Sequence, residues 1–274
     1  MENLKSLIDE TYANTELKPD SYSKDAVAAI EKCVALLDQG ELRVMEKTDH
    51  GFTHHEWVKK AILLYFRIRK IEVMKAGDFS YADKVPVKQW KGTEGVRVVP
   101  HALARYGSFI EPGAILMPSY VNIGARVGRG TMVDTWATVG SCAYVGANVH
   151  LSGGVGIGGV LEPIQARPVV VEDNVFVGSR CILVEGVHIE EGAVLGAGVT
   201  ITGSTKIIDV TGPQAIVHQG LVPKNSVVIP GTLPKQFTAG TYGVPCALII
   251  GQRKESTNLK TSLTDALRDH SVAV

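Results

Sequence analysis

Residues 121–157 read VNIGARVGRG TMVDTWATVG SCAYVGANVH LSGGVGI, and an aliphatic side chain stands at every sixth position of this stretch. The six-residue period extends outward on both sides, and after one offset it resumes at residue 171. The full series comprises Leu103, Phe109, Ile115, Val121, Val127, Val133, Val139, Val145, Leu151 and Ile157, then Val171, Val177, Leu183, Ile189, Leu195, Ile201 and Ile207. Self-similarity at a short fixed period indicates a solenoid.

Each hexapeptide is interpreted as one short strand and a turn, so that three hexapeptides close one triangular coil. Stacked coils pair as parallel strands at about 4.8 Å per coil, and about six coils fit between residues 103 and 230. Glycine recurs directly after the aliphatic residue, where we expect turns with positive φ. These glycines are Gly128, Gly140, Gly146, Gly158, Gly178 and Gly196. The sequence therefore predicts a mainly β protein built on a parallel β-helix.

The flanks of the solenoid lack the six-residue period. Before it, the pattern predicts helices at 3–12, 23–38 and 56–67 and a short strand at 42–47. After it, a turn-rich stretch at 232–243 precedes a predicted strand at 244–250 and a polar helix at 261–269. Loops at 158–168 and 209–220 interrupt the coils. We expect a mostly helical N-terminal domain (1–92), a β-helix catalytic domain (93–235) and a C-terminal strand and helix tail (236–274).

The composition excludes several classes of partner. Lys plus Arg and Asp plus Glu both number 28, so no global positive field would collect nucleic acid or an anionic membrane. The four cysteines show no CxxC spacing, which argues against a disulfide framework and against a zinc knuckle. The N-terminus carries no apolar leader, and no window approaches the ~18 apolar residues of a membrane span. We therefore expect a cytoplasmic protein with no membrane or nucleic-acid partner.

Longer runs carry a more specific signal than the repeat. They are MPSYVN at 117–122, GTMVDTWATVGSC at 130–142 and NVHLSGGVGIGGVLEP at 148–163, with ALLDQG at 35–40, LRV at 42–44 and GVRVVP at 95–100. Together they resemble the tetrahydrodipicolinate N-succinyltransferase family over most of the chain, and poorly after about residue 235. The resemblance implies a left-handed β-helix, although parallel crossovers are almost always right-handed. It also implies a homotrimer, the cyclic assembly that flat prism faces favour.

The resemblance further implies a reaction. A succinyl group would pass from the co-substrate succinyl-CoA to the amino group of 2-amino-6-oxopimelate, the hydrated form of tetrahydrodipicolinate, on the diaminopimelate route to lysine. Neither a permanently bound cofactor nor a metal is implied. Amine attack on a thioester requires a base, donors for the oxyanion and cations for the substrate carboxylates. Two alternatives stay open: a hexapeptide acyltransferase with another amine acceptor, and a non-catalytic hexapeptide scaffold.

Asp134 and Arg97 are the first candidate site residues. Asp134 follows Val133 at a position that glycine fills after Val127 and Val139, so its carboxylate points away from the core. The resemblance implies that this Asp contacts substrate, and we assign it as the base. Arg97 stands between two valines just before the repeat. A guanidinium suits a dicarboxylate, and the resemblance implies a substrate-binding Arg here.

Glu185 is the second candidate catalytic acid, and the resemblance leaves the position of Ile182 as the alternative. Counting three hexapeptides per coil, with a two-residue insertion, groups the Val133 hexapeptide with those of residues 151, 171 and 189. The same count assigns Glu185 to another face, so Asp134 and Glu185 would converge only across a subunit boundary. His150, in the turn before residue 151, is a minor candidate base.

Binding of CoA is expected along the C-terminal coils, where small residues allow close approach to the backbone. The candidates are Gly196, Gly198 and Lys224, and Arg253 is a candidate for contact with a phosphate. The adjacent His54 and His55 do not share a helical face and no further metal-ligand spacing follows them. We therefore interpret them as a helix start and expect no metal site.

Overall fold

The structure is a computed structural model that describes residues 1–14 and 18–253. Its N-terminal part contains α1 (Glu2–Ala13), a 3₁₀ turn (Pro19–Ser21), α2 (Lys24–Gln39) and α3 (Glu56–Ile68). The Ser23 hydroxyl accepts a hydrogen bond from the Ala26 N–H at 3.1 Å and so caps the start of α2. Gly40 ends this helix at φ 76, which glycine adopts without steric cost. The three expected helices are confirmed to within one residue.

Two antiparallel hairpins accompany the helices. They are formed by β1 (Met45–Thr48) with β2 (Gly51–His54), and by β3 (Glu72–Ala76) with β4 (Phe79–Asp83). The strand expected at 42–47 therefore begins three residues later than predicted. Ile30 of α2 and Ile62 of α3 are fully buried in one apolar cluster with Ile123 and Cys142 of the next region. The helices thus pack directly on the solenoid.

From residue 97 onward, two-residue strands repeat along three flat faces. Face 1 consists of β6 (Leu103–Ala104), β9 (Tyr120–Val121), β12 (Thr138–Val139), β15 (Gly156–Ile157), β18 (Ile182–Leu183) and β21 (Thr200–Ile201). Face 2 consists of β7 (Phe109–Ile110), β10 (Arg126–Val127), β13 (Tyr144–Val145), β16 (Val170–Val171), β19 (His188–Ile189) and β24 (Leu221–Val222). Face 3 begins with β5 (Arg97–Val98), β8 (Ile115–Leu116), β11 (Met132–Val133), β14 (His150–Leu151), β17 (Phe176–Val177) and β20 (Val194–Leu195).

Within each face, successive strands are parallel, and we call each strand a rung. The commonest spacing between paired rungs is eighteen residues, as between Tyr120 and Thr138. The second residue of each rung points inward, and Val133, Leu151 and Leu195 are fully buried in the common core. The fold is the left-handed parallel β-helix that was expected, with a mostly helical N-terminal region.

The register of the first coil differs from the prediction. Leu103 pairs with Tyr120, only seventeen residues later, so the inward residues of this coil are Ala104, Ile110 and Leu116. Leu103 is only partly buried. The coil is one residue short, and the six-residue period hides this because apolar residues occupy both positions of each early rung.

The recurring glycines are required for a reason other than the expected one. Gly128 and Gly140 do not have positive φ. A methyl group on Gly128 would lie 2.4 Å from the Gly146 carbonyl, and one on Gly140 would lie 2.1 Å from the Gly159 nitrogen. Backbones of successive coils therefore approach too closely for a side chain. Positive φ occurs two residues later, as at Gly130, φ 69.

The loop between β15 and β16 lengthens one coil, so that Gly156 pairs with Ile182 twenty-six residues later. Lys59 of α3 is fully buried beneath this loop. Its Nζ donates to the carbonyl oxygens of Pro163, Ile164 and Ala166 at 3.0, 3.0 and 2.8 Å. An ammonium group has three donors, so each is matched to a carbonyl and the N-terminal region holds the loop in place.

The C-terminal part is a long hairpin where a turn-rich stretch was expected. Face 3 continues with β25 (Ser226–Phe237), parallel to β20, and β25 pairs antiparallel with β26 (Gly240–Gln252). The interruption expected at 209–220 is a second hairpin, formed by β22 (Lys206–Asp209) and β23 (Ile216–Gln219). The helix expected at 261–269 lies outside the described residues. Among residues 1–14 and 18–253, no helix has the length and apolarity needed to cross a membrane.

Candidate active site

Asp134 lies at the corner where the chain leaves β11 on face 3 and turns toward face 1. Its side chain is 32% exposed. One carboxylate oxygen, Oδ1, accepts hydrogen bonds from the Thr135 backbone N–H at 2.6 Å and from the Thr135 hydroxyl at 3.3 Å. The turn therefore fixes one oxygen, and the other points away from the core. This is the geometry of a carboxylate that meets a ligand at the surface.

His150 is the neighbour of Asp134 on the next rung of face 3. Its Nε2 lies 3.9 Å from the Asp134 Oδ2, and its ring stacks on Phe176 with centroids 5.3 Å apart and planes at 11°. The sequence analysis gave His150 a minor role and missed this proximity. The eighteen-residue pairing of Met132 with His150 is the signal that could have revealed it.

Arg97 lies on the same face as Asp134. Strand β5 pairs with β8, and β8 pairs with β11, so Arg97 stands two rungs before Met132. Two rungs correspond to about 10 Å. Arg97 is exposed on the outward side, while Val98 faces the core. The structure therefore brings the two predicted substrate-binding residues to one surface.

Glu185 is not close to Asp134 within one chain. It follows β18 on face 1, at the corner that leads to face 2, and its Oε2 accepts a hydrogen bond from the Gly203 N–H at 3.0 Å. The predicted face count was wrong: Val133 shares face 3 with Leu151, Val177 and Leu195. The inserted loop is longer than the two residues assumed. The separation of the two acids onto different faces nevertheless holds.

The glycines expected to bind CoA lie on the same face and corner as Asp134. Gly196 follows β20, three rungs beyond the Asp134 rung, and donates its N–H to the Val228 carbonyl at 2.8 Å. Gly198 is exposed at φ 76 with open space where a side chain would stand. Lys224 lies at the opposite edge of face 3, where its Nζ is 3.1 Å from the Glu191 Oε2. The structure groups Gly196 and Gly198 with Asp134 but places Lys224 apart.

Arg253 is partly buried, and its guanidinium donates to the Asn174 carbonyl at 3.2 Å. This contact ties the end of β26 to the helix. The described structure does not present Arg253 as an open phosphate site.

Two family profiles match the chain. One, described as "Tetrahydrodipicolinate N-succinyltransferase N-terminal", matches residues 3–68, and one described as "Hexapeptide repeat of succinyl-transferase" matches residues 168–203. A relative from Polynucleobacter asymbioticus named 2,3,4,5-tetrahydropyridine-2,6-dicarboxylate N-succinyltransferase is 52% identical over 97% of this chain and 98% of its own. Relatives of the same name from Acinetobacter baylyi and Variovorax paradoxus are 49% and 50% identical, each over 98% of this chain and 99% of their own.

The chain belongs to the 2,3,4,5-tetrahydropyridine-2,6-dicarboxylate N-succinyltransferase family. The expected resemblance is confirmed. Because the family consists of enzymes, a catalytic protein is preferred over the non-catalytic scaffold. The acyl-transfer class also implies an acyl-CoA co-substrate.

One cleft of this N-succinyltransferase family member lies away from Asp134. It has a volume of about 880 Å³ and is lined by α1, α3 and the β1–β2 region, including Arg43, Trp57 and Lys60. His55 in this cleft pairs with Glu46 at 2.8 Å. Among residues 1–14 and 18–253, no group of three or more His, Cys, Asp or Glu side chains is arranged to hold a metal.

The cysteines do not supply a nucleophile in the described region. Cys33, Cys142, Cys181 and Cys246 are all free and buried. Burial raises the pKa of Cys33 and of Cys142 to about 12, so both thiols stay protonated at neutral pH and are weak nucleophiles. The exposed carboxylate of Asp134 is therefore the better candidate for proton transfer.

Proposed function

We propose that this protein transfers the succinyl group of succinyl-CoA to the amino group of 2-amino-6-oxopimelate, the hydrated form of tetrahydrodipicolinate, in diaminopimelate and lysine biosynthesis. The observation that carries this proposal is the near full-length identity to relatives with that name. The shared face of Arg97 and Asp134 supports it, because a dicarboxylate acceptor needs a cation for its carboxylate and a base to accept a proton from its ammonium group.

In the proposed mechanism, Asp134 accepts a proton from the acceptor ammonium group. The free amine nitrogen attacks the thioester carbonyl carbon, and a tetrahedral oxyanion forms. The carbon–sulfur bond then breaks, the proton that the attacking nitrogen loses passes to the departing sulfur, and the products are the amide of the acceptor and CoA as a thiol. Thr135 holds Oδ1 of Asp134, which leaves Oδ2, the oxygen nearer His150, to receive the proton.

We propose that the pantetheine arm of succinyl-CoA lies along face 3 past the buried Gly196 toward Gly198, whose exposed backbone without a side chain permits close approach. Lys224, which is exposed, is proposed to contact the CoA phosphates by exchanging its present partner Glu191. No permanently bound cofactor is needed. Because CoA thioesters are metabolites of the cytoplasm, we place the enzyme there.

A homotrimer is part of the proposal. Asp134 and Glu185 lie on different faces, so Glu185 of a neighbouring subunit is proposed to complete the site. We also propose that the chain divides functionally into residues 1–92, the catalytic β-helix at 93–235 and the tail at 236–274. Light scattering at micromolar concentration should give three times the chain mass of 29.3 kDa. A monomer with full activity would contradict the shared site.

The activity is tested by measuring CoA thiol release with succinyl-CoA and tetrahydrodipicolinate, together with mass spectrometry of the product. We expect thiol release only when both substrates are present, and a product that carries one succinyl group. Reactions with acetyl-CoA and with a hexosamine acceptor are the controls. Equal turnover of the hexosamine would favour another acceptor, and thiol release without any acceptor would indicate a thioesterase.

A further inference from the structure

A ladder of backbone hydrogen bonds runs along the corner between face 3 and face 1 and passes the turn that follows Asp134. Gly154 donates its N–H to the Thr135 carbonyl at 2.9 Å, and Arg180 donates its N–H to the Gly153 carbonyl at 3.1 Å. Gly198 continues the ladder by donating to the Ser179 carbonyl at 2.9 Å. Each step is one rung of about 5 Å, so Asp134, Gly154 and Arg180 lie in order along one edge of the β-helix.

The side chain of Arg180 lies flat on Gly154. A methyl group built on Gly154 would be 2.7, 2.8 and 2.9 Å from the Cδ, Nε and Cζ atoms of Arg180. The guanidinium therefore runs back by one rung and reaches the level next to the Thr135–Trp136 turn. The missing side chain at Gly154 is what leaves room for it.

Arg180 is exposed, and within residues 1–14 and 18–253 it makes no ion pair and no side-chain hydrogen bond. This is unlike Arg105 and Arg126, which pair with Asp83 and Glu111. A guanidinium has five donors in a planar fork that matches a carboxylate. Arg180 therefore presents this fork to solvent beside the Asp134 turn.

Trp136 forms the other side of this corner. Its indole is 69% exposed, and its backbone has a φ of 61. The same left-handed conformation recurs at the corresponding turns of other coils, as at Cys142, Asn148 and Arg180, so the exposed indole, and not the backbone, distinguishes Trp136. An exposed indole, a bare glycine and an unpaired guanidinium thus lie along the corner that carries Asp134.

We propose that Arg180 binds the α-carboxylate of the acceptor whose amine faces Asp134. This inference rests on the proposed function and names a further specificity-determining residue for it. An α-amino acid carries its ammonium and its carboxylate on one carbon, so it needs an anion and a cation held close together but not paired with each other. Asp134 and Arg180 meet this requirement about one rung apart.

Arg97 then takes the distal carboxylate, because it lies on the opposite side of Asp134 along face 3. A diacid that carries an α-amino group is held by two guanidinium groups with its amine at the carboxylate between them. A simple amine lacks the group that Arg180 binds, and a monocarboxylic amino acid lacks the one that Arg97 binds. The arrangement therefore selects α-amino diacids.

The test compares Arg180→Met and Arg180→Lys with the wild type, using calorimetric binding of 2-aminopimelate and of its α-carboxamide. Arg129→Met is the matched control, because Arg129 is also exposed on the β-helix but follows β10 at a different corner. We expect Arg180→Met to weaken binding of 2-aminopimelate by about 10- to 100-fold, the usual worth of a charge-assisted pair. Arg180→Lys should lose less of its affinity for 2-aminopimelate, and Arg129→Met should bind this ligand as the wild type does.

The carboxamide separates a direct contact from a structural effect. The carboxamide should bind weakly to the wild type, and the Arg180→Met substitution should not weaken the binding of the carboxamide further. Equal losses for both ligands, or unchanged binding of 2-aminopimelate by a folded Arg180→Met protein, would overturn the proposal. If the wild type binds 2-aminopimelate as expected but does not transfer succinyl, the proposed function fails while the carboxylate assignment stands. Absence of wild-type binding overturns both.

Discussion

The Nε2 of His188 lies 2.6 Å from the Oε1 of Glu172, and this pair links two neighbouring rungs of face 2. Lys47 of β1 reaches the same carboxylate at 3.5 Å and Asp173 at 3.3 Å. Phe52 of β2 packs edge-on against the His188 ring, with centroids 5.3 Å apart. Phe52 makes a second edge-on contact with Tyr144 at 5.0 Å, so one partly buried charge cluster and two aromatic contacts hold the hairpin on the β-helix.

This cluster predicts an acid-sensitive contact. The hydrogen bond from His188 holds the pKa of Glu172 below its usual value, against the opposing effect of burial and with help from Lys47. A depressed carboxyl pKa stabilises the folded state above the ordinary pKa near 4.5, and the contribution is lost as pH falls through the folded-state pKa. We expect Glu172→Gln to have a flatter Tm profile than the wild type between pH 7 and pH 3. Parallel Tm curves would contradict this linkage.

Asp134→Asn keeps the shape of the side chain and removes its charge, so the proposed proton acceptor is lost. Turnover should fall by ~10²–10⁴, the usual worth of a positioned base, with an unchanged Tm. The measurement is kcat/KM against pH for both proteins. If the Asn variant keeps more than about a third of wild-type activity, far short of that loss, Asp134 is not the base.

Arg97→Lys replaces a carboxylate-matched fork with a point charge. We expect the KM for the acceptor to rise while the KM for succinyl-CoA stays nearly constant. Steady-state kinetics with each substrate varied in turn provides the measurement. Equal damage to both substrates would mean that Arg97 supports the first rung and does not bind the acceptor.

Lys59→Met leaves three loop carbonyls without their donor, because Lys59 is fully buried and water does not reach its head group. The free energy of unfolding should fall by about 1–3 kcal/mol, the cost of unpaired buried acceptors. The loop at 158–169 should also become sensitive to protease. Lys60→Met is the control, because Lys60 is a more exposed neighbour that pairs with Asp9. Ion pairs of this kind near the surface contribute less than about 1 kcal/mol to the free energy of unfolding. Urea denaturation that gives equal losses for both variants would contradict the role of Lys59.

Gly128→Ala tests the close stacking of coils. The new methyl group would lie 2.4 Å from the Gly146 carbonyl, so the two coils must move apart. The free energy of unfolding should therefore fall by about 1–3 kcal/mol. Gly212→Ala is the matched control, because its nearest atom would be 3.6 Å away and its φ is not positive. Thermal unfolding of the two variants provides the comparison. A stable Gly128→Ala protein would mean that the backbone tolerates wider spacing.

Much of the fold could be predicted from the sequence because the buried column of a β-helix repeats at a constant interval. The interval alone does not reveal where a coil gains or loses residues. The pattern does not identify Ala104 as the inward residue of its rung, because Leu103 fits the six-residue period equally well. It also assigns the hexapeptides beyond residue 157 to the wrong faces, because the period does not give the length of the inserted loop. Both errors come from counting along the chain where contacts between coils decide the register.

The sequence singles out some residues of the proposed site and not others for the same reason. Arg97 and Asp134 stand out because each breaks the local pattern and matches a motif. His150 and Arg180 occupy ordinary repeat positions, and their importance depends on which rungs they join. The proximity of His150 to Asp134 and the contact of Arg180 with Gly154 arise from stacking between rungs, which a single coil does not display.

The antiparallel turn of β25 into β26 limits how the molecule can assemble. A stack of parallel rungs has no intrinsic length, because its last strand offers the same backbone donors and acceptors as every earlier one, and a second copy could extend it indefinitely. Here the chain reverses direction beside β20, and β22 and β23 complete the edge of face 3. A second copy arriving in register therefore finds no matching rung to extend on this face. Growth along the helix axis into fibres is blocked there, and contact between copies is directed to the sides of the prism.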